Sequence, residues 1–383
     1  RILQNTKFSY NYDYTRGRTL PYHSVEREQP RVGIKTKRRR KIKKINFRLI
    51  IFVLLLALFI LPFAYKELSG RILFNPMNNA LINPEKVNFV NESDKYITQN
   101  IFFGERQLVK EESHIMDELI LGPQMFGLQN ILNNQIKAHP NIKPTIFVWE
   151  YTTGRYVSLN GEQSIPTASI IKIPVLYELF RQIDQGLISL DEKMTLLPHF
   201  VTGGSGYLQY KPVNLTSLSI AQLAALMIQT SDNTATNMLL SRIGGMDQLN
   251  RSLNLWGLKN TTMKNWLPDL TGTNRSTAKD MATLLYNIDN TNLLSLRSRT
   301  QIIGIMSKVR NTSLIKAGLP DGAQFFHKTG DIGEMLGDAG IVQMPDGRRY
   351  IIVIMVKRPW NSYEAKEFII NASRTVYNYL SVR

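Results

Sequence analysis

The chain has 383 residues, contains no cysteine and carries a formal net charge of +17. This length allows about two structural units and a tail, and the lack of cysteine excludes a disulfide framework, a thiolate nucleophile and a cysteine-based zinc site. Fifteen Lys and Arg but only three Asp and Glu lie within residues 1–48, so the net charge belongs mainly to that end and says little about the substrate of the rest.

The first segment, residues 1–45, is polar and basic and shows neither helical nor strand periodicity. It is predicted to be a disordered tail. Its dense basic run, residues 35–44, is also typical of a nucleic-acid-binding arm. The apolar segment that follows favours a membrane topology signal instead, so no nucleic-acid partner is predicted.

An uncharged segment, residues 49–65, is rich in Leu, Ile, Phe and Val. Its length is at the short end of the roughly 17–25 residues that cross a bilayer, and a buried core helix is the alternative. We predict a transmembrane signal anchor over residues 46–65, in contact with membrane lipid. The basic flank predicts a cytoplasmic N-terminus and an extracytoplasmic C-terminal part, and the lack of an A-x-A site favours an uncleaved anchor.

Residues 66–114 show weak periodicity and are predicted to be a stalk, and residues 115–383 a folded domain. Apolar spacing predicts helices over 116–138, 169–185, 218–229, 233–243, 246–255, 277–288, 298–308 and 362–380. β-Rich runs predict strands over 145–151, 155–159, 323–328, 337–343 and 349–357.

Two strands, a helical middle, three strands and a closing helix predict an α+β fold. The expected architecture is a five-stranded, mostly antiparallel sheet built from both ends of the domain. Terminal helices flank this sheet, and an all-helical lobe lies beside it. We expect the functional site between the sheet and the lobe.

A serine and a lysine, Ser169 and Lys172, are spaced one helical turn apart at the start of an apolar helix. Such a pair lies on one helix face. A serine hydroxyl needs a neighbouring base to become a nucleophile, and a lysine can serve if burial and nearby cations favour its neutral amine. Two other S-x-x-K matches, at Ser276 and Ser313, show that this pattern alone is weak.

Two further motifs follow in order. Ser231-Asp232-Asn233 could transfer a proton and hold a substrate carbonyl, although these residue types also cap helices. Lys328-Thr329-Gly330 ends a strand pattern, where the cation could bind a carboxylate and the glycine allows close approach of another backbone. An ordinary strand exit is the alternative.

The three motifs together are the signature of class A β-lactamases and penicillin-binding proteins. The family's sequence is also matched in two neighbouring segments. These are residues 165–168, before the nucleophile, and residues 227–237, around the second motif. Residues 115–383 therefore resemble class A β-lactamases. The resemblance implies that Ser169 is acylated, that Lys172 accepts or relays its proton, and that Ser231 protonates the leaving nitrogen.

The same resemblance implies the substrate-binding residues. Asn233 would contact the acyl side chain or Lys172, and Lys328 and Thr329 would bind the substrate carboxylate beside Gly330. The backbone N–H groups of Ser169 and Asp331 would form the oxyanion hole. No metal or cofactor is predicted.

One segment departs from the family. Where class A enzymes have W-E-P-E-L-N, this chain has residues 266–271, with Leu267 in place of the glutamate that activates the deacylating water. Asp269, two residues later, is the candidate substitute base. The family's arginine near the K-T-G strand could correspond to Arg348, Arg349 or Arg358.

Three functions stay open on these residues. The first is a serine hydrolase that opens β-lactams through an acyl-enzyme. The second is a D-Ala-D-Ala carboxypeptidase that acts on peptidoglycan stem peptides, for which Leu267 is less damaging. The third is a non-catalytic or slowly turning over penicillin or cell-wall sensor.

Overall fold

The computed structural model describes residues 116–290 and 292–382. The predicted tail, anchor and stalk lie outside this range. Within the range, no helix is both long and apolar enough to cross a bilayer.

The elements alternate much as the sequence predicts. The helices are α1 (Phe126–Lys137), α2 (Lys172–Asp184), α3 (Ile220–Gln229), α4 (Asn233–Arg242), α5 (Gly245–Leu255), α6 (Ala278–Asp289), α7 (Leu296–Met306) and α8 (Glu364–Ser381). The strands are β1 (Lys143–Glu150), β2 (Tyr156–Leu159), β3 (Ile165–Pro166), β4 (Lys193–Thr195), β5 (Ser217–Ser219), β6 (Arg275–Ser276), β7 (Gln324–Ile332), β8 (Met335–Gln343) and β9 (Arg349–Lys357). The short pairs β3–β6 and β4–β5 were not predicted.

Five strands form one sheet in the order β2-β1-β9-β8-β7, and each neighbouring pair is antiparallel. The sheet combines strands from both ends of the domain, which confirms the predicted α+β architecture. Strand β7 lies at one edge, where backbone N–H and C=O groups are left unpaired by the sheet.

Strand β9 shows why the sheet is covered on both faces. Its side chains point alternately to the two faces. Ile351, Val353 and Met355 join the core that includes the helical lobe. Ile352 and Ile354 join the second core, beneath α1 and α8. This double burial explains the nearly continuous apolar sequence of the strand.

The prediction of a helix over 116–138 is wrong at its N-terminal end. Residues 116–125 form an extended segment, and α1 begins at Phe126. Gly122 N–H donates to Gly154 O at 2.9 Å and Met125 N–H to Tyr156 O at 2.9 Å. A Cβ atom at Gly122 would lie 2.4 Å from Thr153 O. Contacts with distant residues therefore hold this segment out of the helix.

Strand β7 also differs from its predicted bounds, since it continues through the K-T-G motif to Ile332. Strand β7 is extended because Gly330 pairs with Gly337 and Asp331 pairs with Leu336 of β8. A Cβ atom at Gly330 would lie 2.6 Å from Thr167 O and 3.2 Å from Ile170 N. The glycine thus lets β7 pack against the backbone around Ser169.

Candidate active site

Ser169 lies in a 3₁₀ turn, Ala168–Ile171, that leads directly into α2 at Lys172. The preceding Ala168 has a φ of 46°, a backbone region that costs a residue with a side chain of the order of 1–3 kcal/mol. The turn is held from outside, because Thr167 N–H donates to Asn274 O at 3.0 Å. The surrounding structure therefore fixes the position of the serine.

The side-chain nitrogen of Lys172 joins the first two motifs. Its Nζ lies 3.1 Å from Ser169 Oγ, 3.0 Å from Ser231 Oγ and 2.8 Å from Asn233 Oδ1. It also donates to Ser231 O at 2.7 Å. One amine thus contacts both hydroxyls that acyl transfer needs.

Lys172 is fully buried, and burial lowers its pKa well below the ordinary value. The positive charge of Lys328 lowers this pKa further, while Asp232 opposes the change. Both main causes disfavour the ammonium form. A neutral amine has a lone pair, so Lys172 can accept the Ser169 proton.

Ser231, Asp232 and Asn233 have separate tasks at the start of α4. Asp232 is the N-cap, and its Oδ1 accepts from Ala235 N–H at 2.9 Å. Ser231 has a φ of 56°, and Asn233 Nδ2 donates to Gly203 O at 3.1 Å. The capping alternative thus holds for Asp232, while its two neighbours turn toward Lys172.

A glycine-rich turn, residues 203–206, supports this motif. Asn233 N–H donates to Ser205 O at 3.0 Å, and a Cβ atom at Gly206 would lie 2.2 Å from the Asp232 carboxylate. Asp232 Oδ2 accepts from the N–H groups of Tyr207 and Leu208 at 2.8 and 2.9 Å. The turn therefore holds the second motif in place.

Lys328 is buried on edge strand β7, and its Nζ donates to Thr329 O at 2.7 Å. Burial lowers its pKa to about 7, while the charge of Asp338 acts to raise it. The strand passes the 3₁₀ turn of Ser169 at Gly330. The end of the third motif therefore lies beside the turn that carries Ser169.

Asp331 follows Gly330, and its side chain is largely exposed. Its carboxylate accepts from Nη2 of Arg358, whose own side chain is buried. Of the three candidate arginines, only Arg358 contacts the end of β7, because Arg348 pairs with Asp346 and Arg349 with Asp289. The sequence alone could not choose between them.

The 264–274 loop carries Leu267, which is buried in the main core. Asn237 holds the backbone of Leu267: its Nδ2 donates to Leu267 O at 2.8 Å, and its Oδ1 accepts from Leu267 N–H at 3.1 Å. Sequence analysis missed Asn237. Its spacing of four residues from Asn233 on one helix face is the signal that could have found it.

Asp269 is buried in the same loop. Its Oδ2 accepts from Asn274 N–H at 2.6 Å and its Oδ1 from Thr273 Oγ1 at 2.9 Å. Asn274 Oδ1 in turn accepts from the N–H groups of Lys264 and Asn265. Both oxygens of Asp269 therefore bind the loop itself, and this geometry opposes the role of deacylation base suggested for it.

Within residues 116–290 and 292–382, no cluster of three or more acidic or histidine side chains could hold a metal ion. His327 lies beside Lys328 in sequence, but its Nδ1 is 2.8 Å from Asp338 Oδ1.

Comparisons with known proteins identify the family of this chain. The model of the Beta-lactamase enzyme family matches residues 127–380. β-Lactamase VEB-1 of Pseudomonas aeruginosa is 26% identical over 282 residues, which cover 65% of this chain and 88% of VEB-1. A β-lactamase of Bacillus licheniformis is 26% identical over 254 residues, covering 62% of this chain and 79% of that protein.

Among solved structures, PBP-A is 39% identical with a TM-score of 0.67, and the match covers 68% of this chain and 98% of PBP-A. A leucine-to-glutamate mutant of PBP-A, an acyl-enzyme complex with penicillin G, is matched with a TM-score of 0.66 at 39% identity over 68% of this chain and 99% of that one. An ancestral class A β-lactamase, 24% identical with a TM-score of 0.62 over 66% of this chain and 99% of that one, shares the fold. The chain therefore belongs to the β-lactamase enzyme family, and it is a serine hydrolase.

Proposed function

We propose that the protein acylates Ser169 with β-lactams and releases the product by β-lactamase-type hydrolysis. The observation that carries this proposal is the position of Lys172 Nζ, 3.1 Å from Ser169 Oγ and 3.0 Å from Ser231 Oγ. Those distances are within the range for direct proton transfer between heavy atoms.

The acylation step follows from these contacts. The neutral amine of Lys172 takes the proton as Ser169 Oγ forms a bond to the lactam carbonyl carbon. The carbonyl oxygen becomes an oxyanion, which the N–H groups of Ser169 and Asp331 stabilise. The lactam C–N bond then breaks, and its nitrogen receives a proton from Ser231, which regains one from Lys172. Atoms and charge balance without any co-reactant.

Lys328 and Thr329 serve binding in this proposal. A cation within a buried wall attracts a carboxylate more strongly than one in water. Asn233 is held on two sides, by Lys172 and by Gly203 O, and so positions the amine as well as the acyl side chain.

Deacylation is the slow step in this proposal. Leu267 stands where class A enzymes have a glutamate, and a leucine has no proton acceptor. Losing a positioned general base costs typically 10²–10⁴ in rate. Both oxygens of Asp269 accept hydrogen bonds from the loop itself. This supports the inference that Asp269 does not replace the family's glutamate as the base. We therefore infer an acyl-enzyme that persists far longer than in an efficient β-lactamase.

Leu267 also favours a second candidate, a D-Ala-D-Ala carboxypeptidase that acts on peptidoglycan stem peptides. The acylation machinery for an acyl-D-Ala-D-Ala amide is the same, with a terminal carboxylate for Lys328. The similarity to a PBP-A mutant that forms an acyl-enzyme with penicillin G supports the acylation step that both candidates share.

A fluorescent penicillin tests the proposal. The full chain should become labelled at Ser169, and the decay of the adduct should be followed after removal of free penicillin. Labelling that decays slowly supports the acyl-enzyme with impaired deacylation. Decay within seconds contradicts the role given to Leu267, and no labelling contradicts acylation altogether. Slow decay that yields hydrolysed penicillin, without D-Ala release from a muropeptide, favours the β-lactamase. D-Ala release favours the carboxypeptidase. An adduct that does not decay, without D-Ala release, favours the sensor.

We further propose that residues 46–65 anchor the protein in a membrane with the catalytic domain on the extracytoplasmic side. The uncharged run at 49–65 behind a basic flank supports this. The full chain should remain in the membrane pellet after alkaline carbonate, and protease added outside should digest the domain. Release by carbonate contradicts the anchor, and protection of the domain contradicts the orientation.

A further inference from the structure

The β7–β8 hairpin fixes the direction in which the backbone of Asp331 points. Strand β7 ends at a two-residue turn, because Ile332 pairs with Met335 across it. Such a turn is closed by a pair that exchanges hydrogen bonds, and pairs in an antiparallel ladder alternate between those that do and those that do not. The next pair, Asp331 with Leu336, therefore makes no ladder hydrogen bonds. The N–H group of Asp331 points away from β8, toward the open edge of the sheet.

A contact two residues earlier supports this orientation. Thr329 has the same place in the alternation as Asp331, and its carbonyl oxygen accepts from Lys328 Nζ at 2.7 Å, outside the ladder. Between the two, Gly330 packs against the turn that carries Ser169. The N–H group of Asp331 is therefore free of the sheet and only one residue from that contact, as a donor to an oxyanion must be.

The hairpin turn itself is held by the segment that follows β9. Arg358 N–H donates to Glu334 O at 2.8 Å, and Asn361 N–H donates to Gly333 O at 2.7 Å. The ring of Trp360 lies against Gly333, where a Cβ atom would be 2.4 Å from the ring atom Cε3. Both residues of the turn are thus tied to one short stretch of backbone.

The side chain of Arg358 extends this hold to Asp331. It is only 6% exposed, and its Nη2 donates to Asp331 Oδ1 and, at 3.4 Å, to Ile332 O. Nη1 donates to Ser362 O at 3.3 Å. The guanidinium group therefore bridges the last residues of β7 and the segment after β9. Its planar array of donors holds such a geometry more firmly than a single donor does.

We propose that Arg358 is a positioning residue for the oxyanion hole, because it fixes the end of β7 from which Asp331 donates its N–H group. This rests on the proposed acylation of Ser169. An oxyanion donor acts through its distance and direction, and removing one costs about 10²–10³ in rate. Loss of Arg358 would leave the donor present but would free the strand end that carries it, so the cost should be a part of that range.

The alternative role for this arginine is to bind the substrate carboxylate directly. Its burial and its contact with Asp331 oppose that role, because a substrate would have to displace a carboxylate that is already bound. The two roles affect different kinetic quantities. A substrate-binding cation sets the dissociation constant of the noncovalent complex, whereas a group that holds the oxyanion donor sets the limiting rate of acylation.

The test is Arg358→Met, which removes the guanidinium group and keeps an unbranched apolar stem. Labelling by a fluorescent penicillin over a range of concentrations separates the dissociation constant from the limiting rate. We expect the limiting rate to fall by about 10–100-fold and the dissociation constant to change by less than about threefold. Arg358→Lys keeps a donor for Asp331 but loses the planar fork, so it should recover part of the rate.

Arg348→Met is the matched control, because this arginine precedes β9 as Arg358 follows it. It also pairs with an aspartate, Asp346, and donates to a backbone carbonyl, Leu380 O at 2.6 Å. Both kinetic quantities should stay at their wild-type values in this variant. In Arg358→Met, a raised dissociation constant with an unchanged limiting rate would overturn the inference in favour of substrate binding. Wild-type values of both quantities would overturn it as well.

A second pair of variants applies if Arg358→Met does not fold. Asp331→Ala and Asp331→Asn both keep the backbone N–H group, but only asparagine keeps a side-chain oxygen for Arg358. The alanine variant should therefore have the lower limiting rate, and equal limiting rates would overturn the inference. Lack of labelling in wild type instead contradicts the proposed function, so the two failures are distinguishable.

Discussion

The surroundings of Ser169 and the 264–274 loop use their polar groups in opposite ways. Lys172 Nζ has contacts with both motif serines and with Asn233, so these side chains meet at the nucleophile. In the loop, Asp269 and Asn274 bind backbone and side-chain groups of the loop itself. The first region is organised for proton transfer, and the second for holding its own shape.

This difference separates the two halves of a hydrolytic cycle. Acylation needs a nucleophile, a base and an oxyanion site, and the first region supplies them. Deacylation needs a base beside a water molecule, and Leu267 offers none. The loop nevertheless keeps its connection to the nucleophile, since Thr167 Oγ1 donates to Asn274 O at 3.1 Å. The loop therefore helps to hold the turn that carries Ser169.

The largest expected effect comes from removing the nucleophile. Ser169→Ala should abolish labelling by penicillin, with a loss of the order of 10⁶-fold, the scale seen when a serine nucleophile is removed. The matched control is Ser313→Ala, which alters an exposed S-x-x-K match and should label as wild type does. Labelling retained by the alanine variant at position 169 would place the nucleophile elsewhere.

The next effect tests the proposed role of Leu267 in slowing deacylation. Leu267→Glu should speed decay of the penicilloyl adduct by about 10²–10⁴-fold, since it adds a general base, while acylation should change little. Leu267→Gln is the control, because it has nearly the same shape but no basic oxygen. Gel fluorescence measures the adduct lifetimes. Equal decay in both variants would contradict the assignment of position 267 as the site of the deacylation base.

Much of the first region was predictable because its chemistry depends on short motifs with fixed spacing. Ser169 and Lys172 are neighbours through the helical turn, and the antiparallel sheet could be inferred from alternating strands. The meeting of Lys172 with Ser231 required the family resemblance, because no local rule joins segments 59 residues apart.

The loop and the positioning residues were less predictable for a physical reason. Whether Asp269 faces a water or its own loop depends on hydrogen bonds to Thr273 and Asn274, and composition cannot rank those options. Asp338 is one acidic residue in an apolar strand, and its hydrogen bond with His327 depends on the register of β7 and β8. Residues 116–125 were wrongly assigned to a helix because contacts with residues 153–156 outweigh local propensity.

A smaller effect tests whether the loop aspartate is structural. In Asp269→Asn, one amide oxygen cannot replace two carboxylate oxygens, so the variant should lose about 1–3 kcal/mol of stability and keep the wild-type adduct lifetime. Urea unfolding and the lifetime assay measure the two quantities. Exposed Glu118→Gln is the control for a lost charge. A longer lifetime at unchanged stability would identify Asp269 as the base after all.

The final prediction concerns the pH dependence of folding in the first region. The pKa of Lys328 is about 7 in the folded chain and about 10.4 in an unfolded one. Between these values the unfolded chain holds a proton that the folded chain lacks, so the free energy of unfolding should rise with pH, by at most about 1.4 kcal/mol per unit. Lys328→Met removes this contribution, whereas Lys279→Met, at a more exposed lysine paired with Glu162, should not. Urea unfolding from pH 7 to 10 measures the slopes. Parallel profiles for wild type and Lys328→Met would mean that Lys328 keeps its proton throughout this range, which would contradict its lowered pKa.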